Sequence, residues 1–267
     1  IHGLPFHPYQ NWAKRRLYLA CERRAAGWCD RLITVAAMLR DAALAAGVGR
    51  PEQYSVVHSG MPLDDFVNAR PDQAVRARWG VPSDAPLVGC VARLFPLKGH
   101  DEFIGMAKFL IHRASDCHFI VIGGGILRKE LERKVSAAGL AMRFHFTGLV
   151  TRQEVAAAMP NLDVLVHASW WEGLPRVVVQ ALAAGVPVVA FDVDATGEVV
   201  LDGETGFLIR PGDIMGLARG AERLLRDQGL RRRMGEAGRA LVDPEFREEI
   251  MVERIHALYE DLIGGEG

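Results

Sequence analysis

Cysteine is sparse in this chain: Cys21, Cys29, Cys90 and Cys117 are the only four in 267 residues, and none stands in a C-x-x-C pair or at ligand spacing from a histidine. That argues against a zinc module and a disulfide framework, and for a reducing, cytoplasmic setting. A surplus of positive charge is missing too. Lys and Arg number 32 against 33 Asp and Glu, a net of −1 with a pI near 6.8. A general nucleic-acid binder needs cations well in excess of its own acids, so no nucleic-acid partner is expected. No apolar run reaches the roughly 18 residues of a membrane span; the segment 177–191 is cut by Gly185 and Pro187. The opening IHGLPFHPYQ has no signal-peptide pattern and no initiator Met, and reads as a chain entered part-way.

What is present is an ordinary globular composition, 49% apolar and 24% charged, long enough for one large domain or two modest ones. Charge is unevenly spread, with a net of +4 over residues 1–60, much of it in Lys14, Arg15, Arg16, Arg23 and Arg24. Such a run on a helix reads first as a solvated face, with peripheral contact at the inner membrane face as the alternative. Short Val- and Ile-rich runs at 32–35, 55–58, 87–92, 118–122, 143–147, 163–168, 187–191 and 207–209 read as strands. Helical patterns alternate with them at 9–28, 37–46, 71–79, 100–113, 126–138, 151–158, 175–184, 213–226, 230–241 and 246–262. Alternation of this kind predicts an α/β fold with a doubly wound parallel sheet, and strands that are apolar throughout predict cover on both faces. The turn-rich HSGMPLDDF, 58–66, is the expected boundary between a complete domain and a leading segment too small to bury its own strands.

Three strand-to-helix junctions carry candidate chemistry. In WWEGLPRVVVQALAAGVPVVAFD, 170–192, a strand ends near Glu172-Gly173, Pro175 suits a first helical turn, and Gly185 suits the end. The helix is apolar nearly all round except for Arg176 and Gln180, four apart on one face. At the carboxyl end of a parallel strand, its free amides favour an anion; both side chains simply reaching solvent is the plainer alternative. In VGCVARLFPLKGHDEF, Arg93 and Lys98 flank a short loop and suit a diphosphate, or are ordinary surface charges. In FIVIGGGILRKELERK, Gly123, Gly124 and Gly125 invite a dinucleotide reading, but Arg128 stands where the fingerprint needs Gly and no acidic residue ends the next strand. The glycines instead let backbone pass close to a sugar or phosphate, or form a tight turn.

Several blocks together resemble the retaining nucleotide-sugar glycosyltransferases of family 4: YSVVHSGMPLDDF, VARLFPLKGHDEF, FIVIGGGILRKELE, FHFTGLVTRQEV, LDVLVHASWWEGLPRVVVQALAAGVPVVAFD and GEVVLDGETGFLIRPGD. They occur in the family's order over roughly 54–213. The resemblance implies a GT-B fold of two facing Rossmann-like domains, and a nucleoside-diphosphate sugar as donor substrate with no separate cofactor and no metal. It further implies transfer to a saccharide or lipid-linked acceptor with retention of configuration.

The division it implies is 1–61 as the end of an acceptor domain, 62–246 as the donor domain and 247–267 as a closing helix that returns toward the first. The rest of the first domain is then an implied partner, and the chain by itself is expected to bind donor weakly and to transfer nothing. Arg93 and Lys98 fall on the diphosphate pair, Glu172 on the first Glu of an E-x7-E signature, and Gly173 and Leu174 on the loop that approaches sugar and phosphate. Gly124 is placed beside the donor, Leu149 and Val150 at the nucleobase, and His2 near the reacting centre.

Two departures stand out. Gln180 replaces the second Glu, keeping an acceptor but losing the charge, and Pro175 removes an amide where many members have Gly. Arg176 is expected to compensate by reaching a phosphate. The rival readings are a GT-B epimerase or phosphorylase, a non-catalytic nucleotide-sugar-binding module, and a metal-bound donor site built on Asp192 and Asp194. Trp170 and Trp171, next to Glu172, are either sugar platforms or simply core and cleft wall.

Overall fold

The computed structural model describes residues 1–113 and 116–264. After an opening helix α1 (Trp12–Ala26), strands β1 (Leu32–Thr34) and β2 (Tyr54–Val56) form a small parallel pair joined through α2 (Ala37–Ala45). A second, six-stranded sheet follows: β3 (Leu87–Val91), β4 (His118–Ile122), β5 (Phe144–Gly148), β6 (Val164–His167), β7 (Val188–Phe191) and β8 (Gly206–Ile209). All are parallel, in the order β5-β4-β3-β6-β7-β8. The helices between them are α3 (Asp64–Val67), α4 (Gln73–Arg78), α5 (His100–Leu110), α6 (Arg128–Ala137), α7 (Arg152–Ala158), α8 (Arg176–Ala183), α9 (Thr196–Val199), α10 (Ile214–Arg226), α11 (Gln228–Val242) and α12 (Glu248–Gly264).

The doubly wound order follows from strands that must be covered twice. Val88, Val121, Leu165 and Val189 are at most 1% exposed although successive residues face opposite ways. Phe103 and Leu110 of α5, Leu131 of α6 and Leu217 and Leu224 of α10 build the core on one face; Phe66, Met159, Leu182, Val242 and Phe246 build it on the other. Each such side chain contributes roughly 1.5–3 kcal/mol by leaving water. The helix ends follow their local chemistry. Thr151 and Glu154 close a capping box on α7, Asp213 caps α10 and Asp227 caps α11.

The eight expected strands are all present, with ends within two residues of those expected, and so are the ten expected helices. The four-residue α3 and α9 were not expected; four residues are too few to show a period. Pro175, expected inside the first turn of α8, stands at its N-cap with φ −75° and ψ 92°, an extended conformation. Of the expected closing stretch 247–267, residues up to 264 form α12 and residues 265–267 lie outside the described residues. Its first turn packs on Gly60, and Met61 N donates to Phe246 O at 3.0 Å, so this end of the chain returns to the turn-rich stretch 58–66. The basic helix α1 buries only Ala26, while Arg23 donates to Ala46 O at the end of α2.

Helix α2 has no cap of its own, because Ala36 occupies its N-cap position. Its amino end is held instead by Glu198 of α9, whose carboxylate accepts from Ala37 N at 3.0 Å and Met38 N at 2.7 Å. Behind it, His58 lies 3.7 Å from Glu198, bonds Glu245 at 2.8 Å and stacks on Phe246. A carboxylate on free amides at a helix start is worth about 1 kcal/mol. Glu198→Ala is therefore expected to lower unfolding stability by about 1–2 kcal/mol in urea denaturation. Amide exchange should quicken in α2 before it does in β6.

Candidate functional site

Strands β3 and β6 are neighbours, but the chain leaves β3 toward β4 on one side and β6 toward β7 on the other. Their carboxyl ends therefore diverge into a crevice, the place where an open α/β sheet receives ligands. Arg93 and Lys98 lie on the loop leaving β3, and Glu172 on the loop leaving β6. These two loops are tied by backbone. Leu97 O accepts from Trp170 N at 2.9 Å and from Ser169 Oγ at 3.1 Å. Gly99, with φ +70°, presses so close to Ala168 that a Cβ there would run into the Ala168 carbonyl. Leu97 itself holds φ 67°, an uncommon left-handed conformation for a residue with a side chain, and its doubly used carbonyl is what over-determines it.

The glycine triplet supports this loop from the other side. Leu94 N donates to Gly124 O at 3.0 Å and Leu127 N to Leu94 O at 3.1 Å. Gly123 and Gly125 leave room for the carbonyls of Ala92 and Leu94, so their job is loop against loop. His100 bonds Arg93 O at 2.9 Å, and burial above all holds its pKa below the ordinary histidine value. The Arg93 guanidinium lies 5.2 Å from the centre of the Phe95 ring.

Glu172 is held from two directions, with a third group close by. Its amide donates to Asp194 Oδ2 at 2.7 Å, and its Oε1 accepts from Lys98 Nζ at 2.6 Å. His167 Nε2 lies 3.5 Å from the same oxygen and has no hydrogen-bond partner. Leaving a buried polar nitrogen unpaired costs about 1–3 kcal/mol. Burial is the main cause that raises the Asp194 carboxyl above the usual range, opposed by its bond from the Glu172 amide. At the start of α8, Val178 N and Val179 N both turn back to Pro175 O, at 3.0 and 3.4 Å. The amides of Arg176 and Val177 have no acceptor among the described residues.

These groups converge on one cleft of about 510 Å³. Of the residues singled out in the sequence, His2, Arg93, Lys98, Glu172, Gly173, Leu174, Pro175, Arg176 and Gln180 line it. Gly124, Leu149 and Val150 do not: Gly124 packs against Leu149 at the ends of β4 and β5, Leu149 is 88% exposed, and Val150 rests on the core. Trp171 stacks on His7 at 4.4 Å, and Trp170 donates to Glu102 at 2.9 Å and meets Phe191 edge-on, so both are absent from the cleft lining. Val35, Ser59, Ala92 and His167 line it without having been singled out, and Asp194 supports it from behind. A histidine inside the otherwise apolar run VLVHA was the available signal for His167. A hollow of about 660 Å³ among Pro71, Asp163 and Arg231 lies at the opposite, amino edge of β6 and holds none of these groups.

Among the described residues no three His, Cys, Asp or Glu side chains gather to hold an ion, and no helix is long and apolar enough to cross a membrane. A parallel sheet with Arg93 and Lys98 at its switch point, and Glu172 bonded to Lys98, is an arrangement that suits an anion. Residues 71–241 match the family of glycosyl transferases group 1, and the chain belongs to that family, with the GT-B type of fold.

It is 32% identical over 247 residues to a 2-deoxystreptamine glucosyltransferase of Streptomyces kanamyceticus, covering 91% of this chain and 62% of that protein. A GDP-mannose-dependent alpha-(1-6)-phosphatidylinositol monomannoside mannosyltransferase of Mycolicibacterium smegmatis is 35% identical over 198 residues, covering 67% and 49%. The solved sucrose-phosphate synthase of Thermosynechococcus elongatus superposes with a TM-score of 0.85 at 26% identity, covering 99% of this chain and 67% of that one. The chain thus spans about half to three fifths of the length of the curated relatives it matches.

Because Asp194 holds the Glu172 amide from behind, Asp194→Ala is expected to release the loop that carries Glu172. Hydrogen exchange should show protection lost at Glu172 and retained in β6, and unchanged protection at Glu172 would refute the assignment.

Proposed function

We propose that the cleft binds a nucleoside-diphosphate sugar and serves its retaining, metal-independent transfer to a saccharide or lipid-linked acceptor. The observation that carries this reading is the convergence of Arg93, Lys98 and the amino end of α8 on one crevice with Glu172 between them. Breaking the bond between the sugar's anomeric carbon and the diphosphate leaves negative charge on the leaving group. Preorganised cations and amides stabilise that charge most where water is excluded. Arg93 presents a planar fork and Lys98 a point charge, the Arg176 and Val177 amides add the positive end of α8, and Arg176 places a second guanidinium beside them. In this reading protein cations carry the charge that a divalent ion carries in other transferases, so a chelator leaves the activity unchanged.

Glu172 sits with the sugar, and Gln180, one turn beyond Arg176, meets the ribose through its amide. The Gly124 and Leu149 shelf beside the cleft is assigned to the nucleobase. Residues 1–61 form the acceptor side, bringing His2 and Ser59 to the opposite wall, residues 62–246 form the donor side, and α12 ties the two. The relatives favour this donor chemistry, since one is a GDP-mannose-dependent mannosyltransferase and one a glucosyltransferase.

The test is calorimetric titration with UDP, GDP and their hexose conjugates. One base should be preferred. Arg93→Ala and Arg176→Ala should each weaken binding of the preferred diphosphate about tenfold, the worth of a charged hydrogen bond. With the rest of the first domain supplied, Arg93→Ala should also lower kcat by about two orders of magnitude, as loss of a group that stabilises developing charge does. An Arg176→Ala variant with undiminished affinity would remove that residue from the phosphate site, and no binding of any nucleoside diphosphate would end the reading.

A further inference from the structure

Two side-chain nitrogens approach one oxygen in this cleft. Glu172 Oε1 is taken by Lys98 at 2.6 Å, and His167 Nε2 waits 3.5 Å from it with no partner. His167 is the last residue of β6, only 5% exposed, and its ring lines the cleft. Buried ring nitrogens are nearly always paired, so an orphan 3.5 Å from a carboxylate oxygen needs an explanation. Burial, against the opposing pull of Glu172, holds this imidazole below the ordinary histidine pKa. With its proton on Nε2, a neutral imidazole can donate without taking one up. Closing the gap to an ordinary hydrogen bond takes a movement well under 1 Å.

We propose that His167 is a positioning residue that takes the Glu172 carboxylate when Lys98 leaves it for an anionic ligand. The ligand's identity as a nucleoside diphosphate rests on the reading above, whereas the exchange itself is a property of these three side chains. Lys98 cannot keep its short bond to Glu172 and also give its full charge to a diphosphate. Glu172 would then stand half-buried with no side-chain donor and be free to swing. His167 removes that penalty: the carboxylate keeps its charge and its place, and no proton is transferred. Free cleft and occupied cleft then differ in which neighbour holds Glu172.

The test uses Lys98→Met, His167→Leu and His167→Gln, the last keeping an N–H near the Nε2 position. In the ligand-free Lys98→Met protein with 15N-labelled histidine, a slowly exchanging downfield imidazole N–H resonance is expected. It should be absent from the free wild-type protein and from the Lys98→Met/His167→Leu double variant. No such resonance in Lys98→Met would overturn the proposal. Calorimetry with UDP and GDP then completes a double-mutant cycle.

His167→Leu is expected to weaken the preferred nucleotide about tenfold beside Lys98 and less than twofold beside Lys98→Met, while His167→Gln stays within about threefold of wild type. Equal weakening in both backgrounds would mean that His167 is only a packing residue. Should His167→Leu fail to fold, the Lys98→Met spectrum and His167→Gln decide. If the resonance appears in Lys98→Met but neither nucleotide binds the wild-type protein, the exchange stands and the nucleotide reading falls.

Discussion

The cleft depends on two loops lying closer than side chains allow. Gly99 meets the Ala168 carbonyl with no space for a Cβ, and Leu97 gives its carbonyl to both Trp170 N and Ser169 Oγ. Lys98 lies between these two contacts, and Glu172 follows four residues after Ala168. Two oppositely charged side chains from strands that diverge in the chain are thereby brought within hydrogen-bonding distance. The positions where the backbone is least free are the ones that set the chemistry.

Electrostatically the site is kept poised. Lys98 and Glu172 expose only 23% and 17% of their side chains, so each relies on the other in the free protein. A pair this far from solvent gains and loses comparable amounts, attraction offsetting lost hydration. Little net energy is then needed for an incoming anion to redistribute the partners, provided the abandoned carboxylate is caught. The neighbouring cation Arg93 rests against a ring instead, which leaves its charge uncommitted.

Much of this was legible in the sequence, and the reasons are physical. Strands buried on both faces write themselves as unbroken apolar runs, and helices longer than one turn show their pattern. Arg93, Lys98, Glu172 and Arg176 were visible because polar groups at βα junctions contrast with the apolar strands before them. His167 and Asp194 were not. The first lies inside a strand, and the second belonged to a D-x-D pattern that suggested metal ligands, whereas its carboxylate accepts the Glu172 amide. Gly124, Leu149 and Val150 were placed beside the donor by the family resemblance, and they lie outside the lining of the cleft, with Gly124 packed against Leu149. Nor does any local pattern reveal Glu198 capping a helix about 160 residues earlier.

Gly173 has one further neighbour. The carbonyl of His2 occupies the space where its Cβ would stand, so the leading segment leans directly on the loop that carries Glu172. That loop is braced from behind by Asp194. The leading segment is gripped at α2 by Glu198 and turns into the large sheet near Gly60. A rocking of the small sheet against the large one would therefore act as a lever on the carboxylate, gearing the posture of the two halves to the charge at the centre of the crevice.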